Sequence, residues 1–356
     1  MQDTNLSQCR HLLRTGSRSF HAASMVLPRS MRDPATALYA FCRLADDAID
    51  GGGDTPRELR LLQGRLERLY FGLPDDHPAD RAFAEIVRQF DIPSALPLAL
   101  LEGFEWDSQS RQYETLEDLC GYASRVAGSV GVMMTLLMRQ RDHLVLARAS
   151  DLGIAMQLTN IARDVGEDAR AGRLYLPLRW LREAGIDPDA FLRNPEFSPA
   201  LASVVQQLLC AAKALYDRAA LGISRLPSPC RLGIHTARML YSEIGNEVAR
   251  RNYDSVSQRA VVPRGKKLRA LAGAAAACFA SPQILNHPPL PEAQFLINAV
   301  SPLRVPVQAR ASDLKPAWWN LGARALRLIE LFERIERRRQ IKPDGLEQSG
   351  IAQWGS

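Results

Sequence analysis

Cysteine is sparse and unpatterned in this chain of 356 residues. The six cysteines, at positions 9, 42, 120, 210, 230 and 278, form no C-x-x-C and stand at no zinc-ligand spacing from a histidine. That argues against a zinc site or a disulfide framework and fits a reducing compartment. The histidines (11, 21, 77, 143, 235, 287) have no ligand-like spacing either and read as structural or surface residues. No run approaches the roughly 18 to 20 apolar residues of a membrane span. The nearest, 268–279, is short and alanine-rich, and reads as a packed helix. Residues 1–18 mix polar and basic side chains, with no apolar signal-peptide core. A glycine-rich phosphate loop, a nucleophile elbow and a dinucleotide fingerprint are all missing. Lysine is scarce: it supplies 5 of the 45 basic residues, and the rest are arginine, which forms bidentate contacts with phosphate. Runs of alternating apolar and polar residues, the mark of a half-buried strand, are absent too.

What is present is helical periodicity. The hydrophobic content is 46%, enough for a large core, and apolar residues recur three and four apart along most of the chain. Pro28, Pro34, the glycines 51–53, Pro74, Pro93, Pro97, the 185–188 turn and Pro227 with Pro229 divide it into helix-sized segments. The expected class is all-α. Residues 1–280 read as one domain, and 281–317 as a proline-rich linker or loosely packed segment. Over 318–340 a helix is expected with Trp318, Leu321, Ala325, Leu328, Phe332 and Ile335 on one face. Arg324, Arg327, Arg334 and the arginines 337–339 line its other face, and 341–356 reads as a disordered tail. The net charge of +6 and pI near 9.1 suit phosphorylated ligands, an anionic membrane surface or nucleic acid, and alone do not choose among them. The arginines are dispersed and no nucleic-acid recognition motif appears, so a nucleic-acid partner is not expected.

Two acidic motifs carry the chemistry. In Asp46-Asp47-Ala48-Ile49-Asp50 and in Asp164-Val165-Gly166-Glu167-Asp168 the outer carboxylates stand four residues apart, on one helix face. Like charges so placed repel, and a cation relieves them; hard oxygen ligands on neighbouring turns suit Mg²⁺, which bridges to substrate phosphates. Arg43 shares the face of Asp46 and Asp50, to pair with a carboxylate or reach phosphate; the plain alternative is a solvated helix face. The second motif extends upstream: Gln157, Asn160, Asp164 and Asp168 form a polar stripe on a helix otherwise made apolar by Leu158, Ile161 and Val165. Such a stripe is costly unless a ligand, an ion or an internal hydrogen-bond network satisfies it. Arg173 and Tyr175 follow directly, as candidates to neutralise and cap a diphosphate. The segment 122–138 is apolar with small residues Ala127, Gly128, Ser129 and Gly131, which leave room for a long apolar chain or allow two helices to pack closely.

Four separated stretches together resemble the squalene/phytoene synthase family, and within it the phytoene-forming members from bacteria. They are Ser19-Phe20 and Leu27-Pro28 leading into ALYAFCRLADDAID, then YASRVAGSVG, then QLTNIARDVGEDARAGRLYLP, and last the 241–268 block ending RAVVPRGKKL. The resemblance spans about residues 17–271 and leaves 281–356 uncovered. It implies a single all-α bundle of the isoprenoid synthase type around a central apolar cavity. It implies Mg²⁺, with Mn²⁺ as a substitute, on Asp46, Asp50, Asp164 and Asp168, supported by Asp47 and Asn160. Arg43, Arg163, Arg173, Tyr241 and Arg259 match positions that contact or line the diphosphate site, with Gln157 on the same stripe. Ser17 and Ser19 match phosphate-binding serines, and Tyr39, Tyr122 and Tyr175 match aromatics near the reacting carbons.

The reaction so implied is head-to-head condensation of two geranylgeranyl diphosphates. It passes through a cyclopropyl (prephytoene) diphosphate to phytoene, the first committed step of carotenoid biosynthesis. The farnesyl-based products squalene, dehydrosqualene or presqualene diphosphate are the alternative, separated from it by cavity depth. No nicotinamide cofactor is expected. A non-catalytic assembly role is disfavoured, because both acidic pairs are retained. Apolar substrates and product, with the basic 318–340 helix, suggest a cytoplasmic enzyme lying peripherally on a membrane beside other carotenoid or prenyl-chain enzymes; docking of that helix on the domain or a partner is the alternative.

Overall fold

The computed structural model describes residues 3–16, 25, 27–50, 55–279 and 285–300. The predicted 318–340 helix and 341–356 tail lie outside them. Among the described residues there is no strand, and the all-α expectation is met. In chain order the helices are α1 (Asp3–Gly16), α2 (Arg29–Asp50), α3 (Thr55–Tyr70), α4 (Pro78–Phe90), α5 (Ala95–Ser108), α6 (Leu116–Ala123) and α7 (Ser129–Leu137). Then follow α8 (His143–Arg170), α9 (Leu178–Glu183), α10 (Pro188–Arg193), α11 (Pro199–Ile223), α12 (Ser228–Arg250), α13 (Arg264–Ala277) and α14 (Gln294–Asn298).

α8, of 28 residues, is the axis of the bundle. Asp142 starts it by accepting hydrogen bonds from the Leu144 and Val145 amides, satisfying two donors that a helix N-terminus leaves free. Leu146, Ile154, Ala155, Leu158, Ile161 and Ala162 are buried along its length, as expected of a helix enclosed by others. α7, α11, α12 and the 124–128 turn pack directly on it. On the N-terminal side α2 is held between α1 and α4, with Phe41 stacked on Phe83 at 4.0 Å. Two prolines expected to break the chain do not. Pro97 lies in the first turn of α5, where its missing N–H had no partner to lose. Pro34 lies inside α2, costing one ladder bond in a segment held by buried Ala35, Ala37, Leu38 and Phe41.

The 122–138 segment is three joined pieces: α6, a π-helical turn over Ser124–Gly128, and α7. The extra residue per turn of π-helix re-aims the side chains on either side of it. Its small residues serve both readings of the sequence. A Cβ on Gly153 of α8 would stand 2.3 Å from the Ala127 carbonyl oxygen, so backbone meets backbone there. Val126, Ala127, Val130 and Met134 of the same segment line a cavity. The described part of the expected linker, 285–300, is seated rather than loose. Ala293, Leu296, Ile297 and Val300 are buried in the main core, and Ser124 donates a hydrogen bond to the Glu292 carbonyl at 2.9 Å. Its prolines shape a strap that the apolar residues between them fasten down.

Candidate active site

The first acidic face belongs to the last turns of α2. Arg43 donates to Asp46 at 3.1 Å and also pairs with Asp47, so the guanidinium bridges two of the motif's carboxylates. Tyr39, one turn earlier, is half-buried, and burial raises its hydroxyl pKa. α2 ends at Asp50, beside the glycines, as the sequence suggested; the Asp50 side chain, Ser17 and Ser19 lie outside the described residues.

The second face is on α8. Gln157 and Asn160 line the cavity, and Asp164 and Asp168 follow on the next two turns. Arg163 grips Asp164 with both arms of its guanidinium, at 2.7 and 2.5 Å. Arg259 reaches the same carboxylate from the loop after α12, at 2.9 and 3.1 Å, and Glu167 at 3.3 Å. Local backbone geometry delivers it. Asn252 and Tyr253 both take left-handed φ (54° and 61°), turning the chain back onto α8. Gly166 then lets it approach: its amide donates to the Ser255 carbonyl at 3.0 Å, and a Cβ there would strike Val256 at 2.6 Å. Burial, then the neighbouring Asp164, push the Asp168 carboxyl up to about 7, with Arg173 pulling the other way.

A further acid stands with the two pairs, and the sequence reading did not find it. Asp107, at the end of α5, accepts a hydrogen bond from Tyr122 on Oδ2 at 2.8 Å and from Tyr175 on Oδ1 at 2.7 Å. The two rings lie 5.3 Å apart, nearly parallel, and Tyr113 stacks beside them. Burial lifts the Asp107 carboxyl to about 6, the tyrosine bonds and Arg173 oppose the rise, and Asp46 adds to it. Asp107 in turn raises Asp168, so acids from α2, α5 and α8 lie within electrostatic reach of one another. The only hint in the sequence was Gly103, one turn before Asp107, whose missing side chain admits Val126 of the π-helical turn.

From this polar end an apolar cavity of about 330 Å³ runs into the bundle. Asn160, Gln157 and Tyr241 line its polar part; Met156, Leu152 and Ala149 continue the lining along α8, with Val130 and Met134 of α7 and Ala237 of α12. Tyr241 thus joins the cavity, while Tyr122 and Tyr175 meet each other at Asp107. A group of oxygen donors and arginines beside an apolar cavity is suited to a molecule with an anionic head and a hydrocarbon tail.

The squalene/phytoene synthase family profile matches residues 13–266. A phytoene synthase of Rhodobacter capsulatus is 50% identical over 307 residues, covering 84% of this chain and 91% of that protein. A 15-cis-phytoene synthase of Pantoea ananas is 36% identical, covering 81% of this chain and 97% of its own length. Among solved structures, a dehydrosqualene synthase in complex with ligand superposes with a TM-score of 0.71 at 30% identity, covering 77% of this chain and 96% of its own. A squalene synthase of Alicyclobacillus acidocaldarius gives 0.66 at 26%, covering 70% and 95%.

Proposed function

The chain belongs to the squalene/phytoene synthase family, and on that premise we propose that it joins two geranylgeranyl diphosphates head to head into phytoene. The route passes through a cyclopropyl (prephytoene) diphosphate, with release of diphosphate; the enzyme is a prenyltransferase of carotenoid biosynthesis. One observation carries the reading. A single helix, α8, bears the Asn160–Asp164–Asp168 stripe at one end and lines an apolar cavity along the rest. That is the division of polarity in a prenyl diphosphate.

The donor set suits Mg²⁺, with Mn²⁺ as a substitute. Asp46, Asp50, Asp164 and Asp168 offer carboxylate oxygens, Asn160 an amide oxygen, and Asp47 supports them. The Asp168 carboxyl is held up near 7 by burial and by Asp164, which is the situation a divalent cation relieves. Bound there, the ion would draw charge from the departing diphosphate.

The chain's own groups do the remainder. Arg43, Arg163, Arg173 and Arg259 supply forked donors for phosphate oxygens, and Ser17, Ser19, Gln157 and Tyr241 complete the head site. Tyr39, Tyr122 and Tyr175 offer π faces to the allylic cation, and the apolar walls keep water from it. With its hydroxyls committed to Asp107, the Tyr122–Tyr175 pair holds a fixed orientation.

Among the described residues no helix is long and apolar enough to cross a membrane. We place the enzyme in the cytoplasm, peripherally on a membrane, where its apolar substrates and product reside, beside the enzymes that make and use them. No nicotinamide cofactor and no nucleic acid enter this reading. The test is product analysis of the purified enzyme with geranylgeranyl and farnesyl diphosphates in Mg²⁺. Phytoene from the longer substrate is expected. A clear farnesyl preference, with squalene, dehydrosqualene or presqualene diphosphate as product, would overturn the reading.

A further inference from the structure

The lining of the cavity follows α8 backward from Asn160 through Met156 and Leu152 to Arg148. Arg148 lies twelve residues before Asn160, about 18 Å along the helix axis. It is the least expected residue to meet in the lining of an apolar cavity. Its side chain is 1% exposed, and a guanidinium that deep is costly unless every donor direction is used. Nearly all are. Nε donates to Asp151 at 2.8 Å, and the two terminal nitrogens donate to the His287 carbonyl at 2.7 Å and the Pro288 carbonyl at 3.1 Å. Arg218 closes the network from α11, donating to the same Asp151 oxygen at 2.9 Å and to Pro288 at 2.8 Å.

The surroundings of Arg148 are also fixed. Gly222 of α11 lets the Arg148 stem pass, since a Cβ there would stand 2.4 Å from the Arg148 Cβ. Met138, Val145, Ile223 and Leu226 form the wall around it. Leu285, at the start of the strap, packs on the outside of that same group. The strap therefore backs this wall, through Leu285 and through the carbonyls that Arg148 holds.

We propose that Arg148 is a specificity-determining residue: its side chain, locked by Asp151 and the 285–300 strap, is the stop against which the tail of the prenyl chain ends. The inference rests on the reading that the cavity takes a prenyl chain, and it assigns what sets the length of that chain. A hydrocarbon tail can displace a loosely packed methionine or leucine by changing its rotamer. Displacing Arg148 would break its ion pair with Asp151, leave that buried acid and the Pro288 carbonyl to Arg218 alone, and take the donor from the His287 carbonyl, so the stop is stiff. Arg218 holds the same acid and the same strap without lining the cavity, which separates a stop from a mere fastening.

The experiment compares kcat/KM for farnesyl, geranylgeranyl and the longer farnesylgeranyl diphosphate in the wild type and three variants. Arg148→Met with Asp151→Asn removes the charge pair together and leaves a side chain that can swing aside. The ratio of the longer substrate to geranylgeranyl diphosphate is expected to rise about tenfold or more, since a single methylene in a tight pocket is worth about that. Arg148→Lys keeps the charge opposite Asp151 on a slimmer head, and a smaller shift in the same direction is expected. Arg218→Met is expected to lower the thermal midpoint and leave the ratio unchanged. If the double variant is insoluble, the lysine variant alone decides. Wild-type ratios in every soluble Arg148 variant overturn the inference, as does an Arg218→Met shift equal to that of the double variant. Failure of the underlying reading looks different, because the wild type itself would then prefer farnesyl diphosphate or make no prenyl product.

Discussion

Asp107→Asn is expected to make this protein more stable and less active at neutral pH. The carboxyl is raised from an ordinary 3.8 to about 6, first by burial. An acid whose folded pKa is raised favours the folded state while it is protonated, and that contribution is lost as pH rises through about 6. Roughly two pKa units correspond to roughly 3 kcal/mol, charged against the native state once the pH is above both values. Between about pH 4.5 and about pH 7.5, roughly 2 kcal/mol of this accrues. Asparagine fits the same space but carries one acceptor and one donor. One of Tyr122 and Tyr175 must then turn its hydroxyl to accept, at a cost of about 1 kcal/mol. The variant should therefore be slightly less stable than wild type at low pH and more stable by roughly 2 kcal/mol near pH 7.5. Urea unfolding at both pH values, in EDTA so that metal binding does not enter, reads the difference. Turnover in Mg²⁺ should fall, because the tyrosine pair no longer presents a fixed orientation. A stability difference that does not change with pH would refute the assignment of a raised carboxyl, and unimpaired turnover would refute its role in holding the tyrosines.

Asp164→Asn removes the carboxylate that Arg163 and Arg259 both grip; kcat/KM should drop by about 100-fold or more in a diphosphate-release assay, and near-normal activity would remove Asp164 from the proposed Mg²⁺ site. Gly153→Ala drives a methyl to 2.3 Å from a carbonyl oxygen, where only backbone can yield, so a loss of about 1 to 3 kcal/mol or more should appear as a lowered thermal midpoint. Chelation should abolish product formation and added Mg²⁺ should restore it, with Mn²⁺ a partial substitute; activity that survives exhaustive chelation would contradict the proposed metal. Pelleting with anionic liposomes should weaken when residues 315–356 are deleted, and unchanged pelleting would remove the basic 318–340 segment as the membrane contact.

Much of the molecule was legible because it depends on local spacing. Residues three and four apart share a helix face wherever the helix is eventually packed, so the Gln157–Asp168 stripe and the Arg43–Asp46 pairing could be read directly. Arg259, carried only by resemblance to a family motif, does reach Asp164, because two left-handed residues and Gly166 bring its loop onto α8. Pro97 misled because a proline in the first turn of a helix loses little, and Pro34 because the buried residues after it hold α2 together despite the lost bond. Asp107 was invisible for a different reason. An acid near the end of a helix is ordinary, and its meaning lies in Tyr122 and Tyr175, which are 15 and 68 residues away.

The sequence alone therefore determined the helical class, the two acidic faces and the chemistry they suit, since periodicity and ligand type are properties of neighbours in the chain. Only the tertiary structure decided how the cavity ends. The Arg148 guanidinium meets the carbonyls of His287 and Pro288 across 139 and 140 residues. Carbonyl groups are the same in every residue, so nothing in the letters at 287 and 288 marks them as its partners; the fold alone brings them there.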